Sequence, residues 1–339
     1  MPDANRMVGE ERKTNIKILI LGGGGMVGQK LLAQLLRDGL NGQSSLDITL
    51  YDMAFPPNQP ASVTCVTGNI TTQFDMAQLA TQRFDVIFHL ASIVSGEAET
   101  DFDKGWQTNL WPTWHLLEAL RVQSDVTAGA YRPRFVFTSS IAVFGGPYPE
   151  KIDDDFKCSP QTSYGAQKAI CEHLIQDFSR KGYIDGLSLR LPTICVRPGK
   201  ANLAASSFFS GIIREPLAGI EAILPVSDQV RHWHASPRSA AGFLCHAAKL
   251  SEEAIGTHRA LNLPGISCTV AEQIEALRIV AGADAVKLIT PKADPAIDKI
   301  VSGWPRNFDP ARALELGFSA ESSFEEIIRV YIEEDAPRR

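Results

Sequence analysis

The sequence predicts an α/β protein, with a doubly wound parallel sheet and a smaller α/β lobe toward the C-terminus. Short β-rich segments alternate with amphipathic helical segments from Ile16 onward, a pattern typical of successive βαβ units. Two of the β segments, IKILIL and RFVFTSS, are apolar almost throughout, as central parallel strands covered on both faces are. A glycine-rich turn follows the first of them directly.

The elements are predicted in chain order from their apolar period. Strands are expected at IKILIL, LDITLY, SVTCVT, FDVIFHLA, RFVFTSS and LSLRLPTI, with helices around KLLAQLL and TWHLLEAL. Further helices are expected near Pro237 to Leu250, Thr269 to Ala281 and Ser322 to Ile332. Because no clean linker separates the two parts, we expect a first domain over 15–190 that also takes part of 235–265. A second lobe over 191–335 is expected to be interleaved with it.

Composition excludes several classes of protein. The 339 residues carry a net charge of −6 and no long basic run, which argues against a nucleic-acid-binding surface. Apolar runs such as FDVIFHLASIV are well short of the roughly 20 residues that span a bilayer, so no membrane role is expected. Residues 1–14 are polar and charged without an apolar stretch, which predicts a flexible arm rather than a signal peptide and a cytoplasmic protein.

Cysteine and histidine usage predicts neither disulfides nor a metal site. Six cysteines are scattered without a CxxC pair in a chain too large to need disulfide bonds, so we expect reduced thiols. His232 and His234 have the spacing of two metal ligands on one strand, but no third ligand stands at a recognisable distance. Packing is therefore the favoured interpretation of both.

The glycine-rich turn LGGGGMVGQK has the spacing of a dinucleotide-binding loop. Gly22, Gly25 and Gly28 lie between a predicted strand and a predicted helix, where glycine lets the backbone approach a pyrophosphate at the helix N-terminus. Asp52 ends the second strand, 24 residues after Gly28. Its carboxylate suits the ribose hydroxyls of NAD and repels the additional phosphate of NADP. The first domain is thus predicted to be a Rossmann-type NAD-binding domain, the alternative being a purely structural glycine turn.

Tyr164 and Lys168, in TSYGAQK, are four residues apart where a helix is expected to begin, so their side chains share one helix face. A neighbouring cation favours phenolate over phenol, and we therefore expect Lys168 to lower the pKa of Tyr164 and make it a usable general base. Ser140 ends the strand RFVFTSS at the edge of the sheet where open α/β folds bind ligands. Taken alone, each of these residues also fits an ordinary helix surface or strand end.

Together the motifs resemble those of the extended short-chain dehydrogenase/reductases, which include nucleotide-sugar epimerases and dehydratases. The resemblance rests on GGGGMVG, Asp52, HLAS, NLWPT, TSSIAVFG, YGAQK, FDPARALELGF and SSFEEII, in family order over nearly the whole chain. It implies an active site of Ser140, Tyr164 and Lys168, with Asn109 as a supporting residue and Lys168 holding the nicotinamide ribose. It also implies a homodimer or a higher homo-oligomer.

This sequence departs from the family pattern at three positions: Phe144 replaces a tyrosine, Asn69 an aspartate and Pro112 a glycine. The residues expected to contact NAD are Gly22, Gly25, Met26, Val27, Gly28, Asp52, Asn69, Ile70, Leu90, Ala91, Ser92, Asn109, Ser140, Tyr164, Lys168, Pro192 and Thr193. Asn69 and Ile70 are expected to border the adenine, although both also fit an ordinary loop.

Three segments of the chain resemble dehydrogenases of the same family that oxidise the C2 hydroxyl of a four-carbon sugar acid. They are IVSGEAETDFDKGWQTNL, RLPTICVRPGKANLAASSFFSGIIREPL and VRHWHASPRSAAGFLCHAA. A sugar-acid substrate requires a cationic or donor-rich pocket for its carboxylate, and Arg197 and Arg231 are candidates, with His234 beside them. Ser95 is a candidate for contact with substrate hydroxyls. Each of the four also fits a packing, ion-pairing or capping role.

Two other functions use the same fold. An epimerase would employ the same three catalytic residues but return the hydride to its substrate, and so would produce no net NADH. A non-catalytic NAD-sensing protein would be expected to lack Tyr164 or Lys168, and both are present. The sequence therefore favours an NAD-dependent dehydrogenase of a small sugar acid, with an epimerase as the alternative.

Overall fold

The computed structural model describes residues 15–199 and 205–337; the arm predicted over 1–14 lies outside the described residues. The strands are β1 (Ile16–Leu21), β2 (Leu46–Asp52), β3 (Val63–Thr67), β4 (Val86–His89), β5 (Arg134–Ser140), β6 (Asp185–Leu191), β7 (Thr193–Ile194), β8 (Ala222–Leu224), β9 (Arg231–Ala235), β10 (Ala260–Asn262), β11 (Ile266–Thr269) and β12 (Ile289–Pro291).

The helices are α1 (Met26–Asp38), α2 (Gln73–Thr81), α3 (Ser95–Thr100), α4 (Phe102–Asn109), α5 (Trp111–Val126), α6 (Ser163–Arg180), α7 (Ser207–Leu217), α8 (Pro237–Lys249), α9 (Glu252–Ile255), α10 (Val270–Ala281), α11 (Ala283–Val286), α12 (Pro295–Ser302), α13 (Ala311–Glu315) and α14 (Phe324–Glu334). A single turn of 3-10 helix spans Ile141–Val143. None of the helices within the described residues is long and apolar enough to cross a membrane.

A seven-stranded parallel sheet forms the larger part of the molecule and confirms the predicted fold class. Its strand order is β3-β2-β1-β4-β5-β6-β10, so the order reverses between β1 and β4. Side chains of β1 alternate between two cores: Ile18 and Ile20 pack under α1 and α8, whereas Leu19 and Leu21 pack under α2, α5 and α6. Burial on both faces explains why IKILIL is apolar at nearly every position.

The strand predicted over LSLRLPTI is wrong in its length, because the structure divides it at Pro192. β6 ends at Leu191, which is paired with Ser140 of β5. Pro192 has no N–H with which to continue the ladder, and Thr193 pairs instead with His234 in a second sheet of order β11-β9-β7. The chain thus passes from the main sheet into the second lobe directly beside Ser140.

The second lobe has its own core, formed where α7, α10 and α14 pack together. Phe209, Ile212, Leu277 and Ile327 are fully buried there. The chain then returns to the main sheet, since α8 packs against α1 and β10 pairs with β6. This exchange of segments holds the second lobe over the carboxyl ends of the main-sheet strands.

Candidate active site

A cavity of about 470 Å³ lies between the carboxyl ends of β1, β4, β5 and β6 and the second lobe. One side is formed by the glycine loop and the start of α1, and another by Ser140 and Tyr164. The second lobe contributes Arg197, Arg214 and Trp304. The cavity is therefore at the strand-order reversal, the usual ligand site of open α/β sheets.

Two glycines of the loop are required by close packing. Gly22 has φ of 84°, and a Cβ there would stand 2.7 Å from the backbone nitrogen of Ala91. A Cβ on Gly28 would stand 2.4 Å from the carbonyl oxygen of Gly22. Both distances are shorter than real Cβ contacts, so a side chain at either position displaces backbone.

Gly25 differs from these two, because packing within the protein does not require it to be glycine. Its φ is −73°, and an added Cβ would meet only the Gly22 carbonyl oxygen, at 3.4 Å. It lines the cavity immediately before α1, whose first N–H groups have no acceptor within the helix. The missing side chain leaves room for a ligand, and the helix N-terminus suits an anion such as a pyrophosphate.

Asp52 fixes the loop from the end of β2. One carboxylate oxygen accepts a hydrogen bond from the N–H of Gly24 at 2.9 Å, and the other accepts from the N–H of Met53 at 2.7 Å. Asp52 is half-buried and does not line the cavity itself. Because a carboxylate has about four acceptor positions, these two contacts leave others for a ligand hydroxyl.

Ser140 and Tyr164 come together, and both line the cavity. Ser140 ends β5, and its Oγ accepts a hydrogen bond from the N–H of Ala142 at 3.1 Å. Tyr164 lies in the first turn of α6, where Thr162 caps the helix by accepting from the N–H of Gly165. Hydrogen bonding from the Ser140 side chain, and from that of Ser92 in the loop after β4, lowers the pKa of Tyr164.

Lys168 does not lower the pKa of Tyr164 as expected. Burial raises the pKa of Tyr164, and the cation that opposes this rise is Arg197, aided by the hydrogen bonds to Ser140 and Ser92. The Lys168 ammonium is buried 5.6 Å from the centre of the Tyr164 ring and donates to the Thr138 carbonyl at 2.8 Å. Burial itself lowers the pKa of Lys168 to about 8, so the ammonium form predominates near pH 7 but not in the alkaline range.

Asn109 is buried behind the site rather than in the cavity. Its Oδ1 accepts a hydrogen bond from the N–H of Ile93, and its Nδ2 donates to Oε1 of Gln167, both at 2.8 Å. Ile93 belongs to the loop after β4, and Gln167 lies one residue before Lys168 on α6. Asn109 therefore links the two segments that carry Ser92 and Tyr164.

Arg197 is the cavity cation that has no carboxylate partner among the described residues. Its Nε donates to the carbonyl of Ile194 at 3.0 Å, and its backbone N–H donates to Ser210 Oγ at 3.0 Å. Arg214 also lines the cavity, but its guanidinium is paired with Glu215 and donates to the Arg197 carbonyl. Burial lowers the pKa of Arg197, and its guanidinium suits an incoming anion.

Arg231 and His234, the other candidates for the substrate, lie outside the cavity. Arg231 is half-exposed, pairs with Glu272 at 3.1 Å and donates to the Ser267 carbonyl. His234 is fully buried and hydrogen-bonds the side chain of Gln273 at 2.9 Å. The geometry therefore corrects the expectation: these two residues hold the second lobe together, and Arg197 faces the ligand space.

Of the other residues expected to contact NAD or the substrate, some line the cavity and some lie outside it. Those that line the cavity are Gly22, Gly25, Met26, Val27, Gly28, Leu90, Ser92, Ser95, Pro192 and Thr193. Asn69 is exposed with its Oδ1 bonded to the N–H of Thr71, and Ile70 is buried in the core. No spacing in the sequence pointed to Arg214, Ser210 or Trp304, because they reach the cavity from α7 and from the segment after α12, far along the chain from the motifs.

The described residues contain no group of three potential metal ligands from His, Cys, Asp and Glu. A doubly wound sheet, a glycine loop and a serine-tyrosine pair at the carboxyl edge of the sheet are typical of nucleotide-dependent enzymes of carbonyl and hydroxyl chemistry. The chain belongs to the NAD dependent epimerase/dehydratase family, whose model matches residues 18–257.

Three relatives align with nearly the whole chain. A D-erythronate dehydrogenase of Cupriavidus necator is 44% identical over 94% of this chain and 98% of its own length. A D-erythronate dehydrogenase of Haemophilus influenzae is 42% identical over 94% of this chain and 100% of its own. The crystal structure of a nucleoside-diphosphate-sugar epimerase from Agrobacterium tumefaciens superposes with a TM-score of 0.91 and 51% identity, covering 97% of this chain and 98% of that one.

Proposed function

We propose that this protein is an NAD-dependent dehydrogenase that oxidises the C2 hydroxyl of D-erythronate to 2-dehydro-D-erythronate. Two D-erythronate dehydrogenases that align along nearly the whole chain support this substrate. The cavity, at about 470 Å³, has ample room for a four-carbon acid beside a nicotinamide.

The observation that carries the proposal is the position of Arg197. This guanidinium lies in the cavity without a carboxylate partner among the described residues, and its charge acts on Tyr164. In a 2-hydroxy acid the carboxylate is one bond from the carbon that is oxidised, so an anion site near the base is what this substrate requires. In a nucleoside-diphosphate sugar oxidised at ring carbon 4, the diphosphate lies across the ring on carbon 1.

The residues present fit NAD as the cofactor. The clearance at Gly25 and the N-terminus of α1 would receive the pyrophosphate, and the carboxylate of Asp52 would accept from the adenosine ribose. Lys168, whose ammonium donates to the carbonyl of the cavity residue Thr138, would donate to the nicotinamide ribose. When bound, NAD supplies the acceptor for the hydride that leaves C2.

The protein's own residues would then orient the alcohol and remove its proton. Arg197 binds the carboxylate and so places the C2 hydroxyl between Tyr164 and Ser140. The Tyr164 phenolate accepts the hydroxyl proton, and the Ser140 hydroxyl donates to the oxygen as it becomes a carbonyl. Because burial raises the pKa of Tyr164, the phenolate is scarce near neutral pH, and we propose that the rate rises with pH.

We also propose that the protein is cytoplasmic and forms a homo-oligomer. Trp111, Trp114 and Ile170 leave 47%, 37% and 36% of their surfaces exposed on the neighbouring helices α5 and α6. Apolar side chains of this size on adjacent helices suit contact with a second copy of the chain.

The proposed reaction is tested by following NADH absorbance with purified protein. D-erythronate, its C2 and C3 stereoisomers and UDP-sugars serve as substrates. We expect stoichiometric NADH with D-erythronate and none with UDP-sugars. Isomer formation from a UDP-sugar, together with no NADH from any sugar acid, would establish the epimerase alternative instead.

Gly25→Ala and Gly28→Ala separate cofactor binding from packing. The Gly25 variant places a methyl group in the pyrophosphate space, and we expect a KM for NAD raised at least about tenfold, equivalent to about 1.4 kcal/mol of binding. The Gly28 methyl overlaps the Gly22 carbonyl and should lower the free energy of unfolding by about 1–3 kcal/mol. Thermal unfolding and NAD titration measure the two effects; an unchanged KM in Gly25→Ala would contradict the proposed cofactor site.

A further inference from the structure

Thr193 carries a hydroxyl group in the cavity wall whose orientation is fixed by a neighbouring histidine. Thr193 Oγ1 and His232 Nε2 are 2.7 Å apart, and both residues line the cavity. The other ring nitrogen of His232, Nδ1, lies 2.9 Å from the carbonyl oxygen of Pro305. A carbonyl oxygen can only accept, so Nδ1 carries the hydrogen and donates it to Pro305.

The protonation state of His232 decides what Thr193 does. Burial lowers the pKa of His232 to about 4, so the ring is neutral near pH 7 and Nε2 has no hydrogen. The ring cannot turn over easily, because it stacks on Phe209 with 5.3 Å between centroids and an angle of 6°. Nε2 therefore accepts, and the single hydroxyl hydrogen of Thr193 is donated to it.

With its hydrogen engaged, the Thr193 oxygen presents only lone pairs to the cavity. It can accept a hydrogen bond from a ligand and cannot donate one. We propose that Thr193 accepts from a hydroxyl of the sugar acid beyond C2, and that His232 is the positioning residue that holds it as an acceptor. This inference rests on the proposed function.

The location of Arg197 favours the substrate over the cofactor as the donor. The Arg197 side chain folds back to the carbonyl of Ile194, the residue after Thr193, so the carboxylate site and the Thr193 hydroxyl are adjacent. With the carboxylate on Arg197 and the C2 hydroxyl at Tyr164, the hydroxyls at C3 and C4 still need partners. A buried acceptor that is already oriented discriminates strongly between a hydroxyl and a hydrogen atom.

The experiment compares D-erythronate with its 3-deoxy and 4-deoxy analogues, each through kcat/KM. For one of the two analogues, we expect the preference of the wild-type protein for D-erythronate to be about tenfold greater than the preference of Thr193→Val. A factor of this size is the effect of one neutral hydrogen bond. His232→Phe keeps an aromatic ring on Phe209 but removes the acceptor, and should lose the same preference.

Two control variants separate this role from folding. Thr193→Ser keeps the hydroxyl and should retain the preference. His234→Phe also replaces a buried histidine that contacts Phe209, but His234 bonds to Gln273 and not to a cavity residue, so discrimination should be unchanged. If His232 had only a structural role, both histidine variants would lose the preference for D-erythronate to the same extent.

Two further outcomes would overturn the inference about Thr193, and a third would also contradict the proposed function. A raised KM for NAD in Thr193→Val with the preference for D-erythronate intact would mean that Thr193 accepts from the nicotinamide carboxamide, and would overturn the inference. Unchanged discrimination in both Thr193→Val and His232→Phe, in a protein that oxidises D-erythronate, would also overturn it and leave the proposed function standing. A wild-type protein that oxidises no sugar acid would contradict both.

Discussion

Replacing Tyr164 by phenylalanine is expected to lower kcat by about 10²–10⁴, the usual contribution of a positioned general base. The substitution removes one oxygen from a side chain that packs in the cavity beside Ser140, so the fold and the NAD site should be unaffected. Steady-state assays with D-erythronate measure kcat, and titration with NAD measures cofactor affinity. A Tyr164→Phe variant with wild-type kcat would refute the base.

The pH dependence provides an independent signature of the same group. Burial raises the pKa of Tyr164, so the fraction of phenolate grows as the pH rises toward that pKa. A base must be deprotonated to act, and kcat/KM of the wild-type protein should therefore increase through the alkaline range. Ser140→Ala removes a hydrogen bond that lowers this pKa, and is expected to displace the rise to higher pH.

Much of the fold and the reacting end of the site could be predicted from local sequence. The glycine loop, its flanking strand and helix, and Asp52 are all read from one βαβ unit. Ser140 and Tyr164 are distant in sequence, but each stands at an element end whose place follows from parallel-sheet topology. The rule that ligands bind at the carboxyl ends of strands then predicts that they meet.

The second lobe could not be predicted in the same way, because its residues are placed by packing between distant segments. In β9, His232 and His234 point to the same face, yet only His232 reaches the cavity, while His234 is covered by Phe209 and Phe324. Arg231 is turned toward Glu272 of α10. Nothing in the string RHWHAS distinguishes these surroundings.

The expected effect of Lys168 on the pKa of Tyr164 is absent for a different reason. Helical spacing correctly placed its ammonium near the Tyr164 ring, but spacing gives no measure of desolvation. Full burial acts against the charged forms of both side chains, raising one pKa and lowering the other. Electrostatic support for the phenolate therefore comes from the second lobe through Arg197, which also suits the substrate carboxylate.

Arg197→Met is the second substitution for which we expect a large effect. Removing one partner of a desolvated charge pair costs about 2–5 kcal/mol, so kcat/KM for D-erythronate should fall by roughly 30- to 4000-fold. The matched control is Arg231→Met, which removes an arginine of the same lobe whose half-exposed pair with Glu272 is worth about 0–1 kcal/mol. The kcat/KM of that variant for D-erythronate should stay within about fivefold of the wild-type value.

D-erythronamide, the uncharged amide of the substrate, separates loss of the carboxylate contact from general damage to the lobe. The wild-type protein should discriminate strongly against the amide, because Arg197 gains no charge pair from it. In Arg197→Met the preference for the acid should largely disappear, since neither ligand then finds a cation, whereas Arg231→Met should preserve it. Equal losses in the two arginine variants, or a preserved preference in Arg197→Met, would place the carboxylate elsewhere; Arg214, already paired with Glu215, would then be the next cavity cation to substitute.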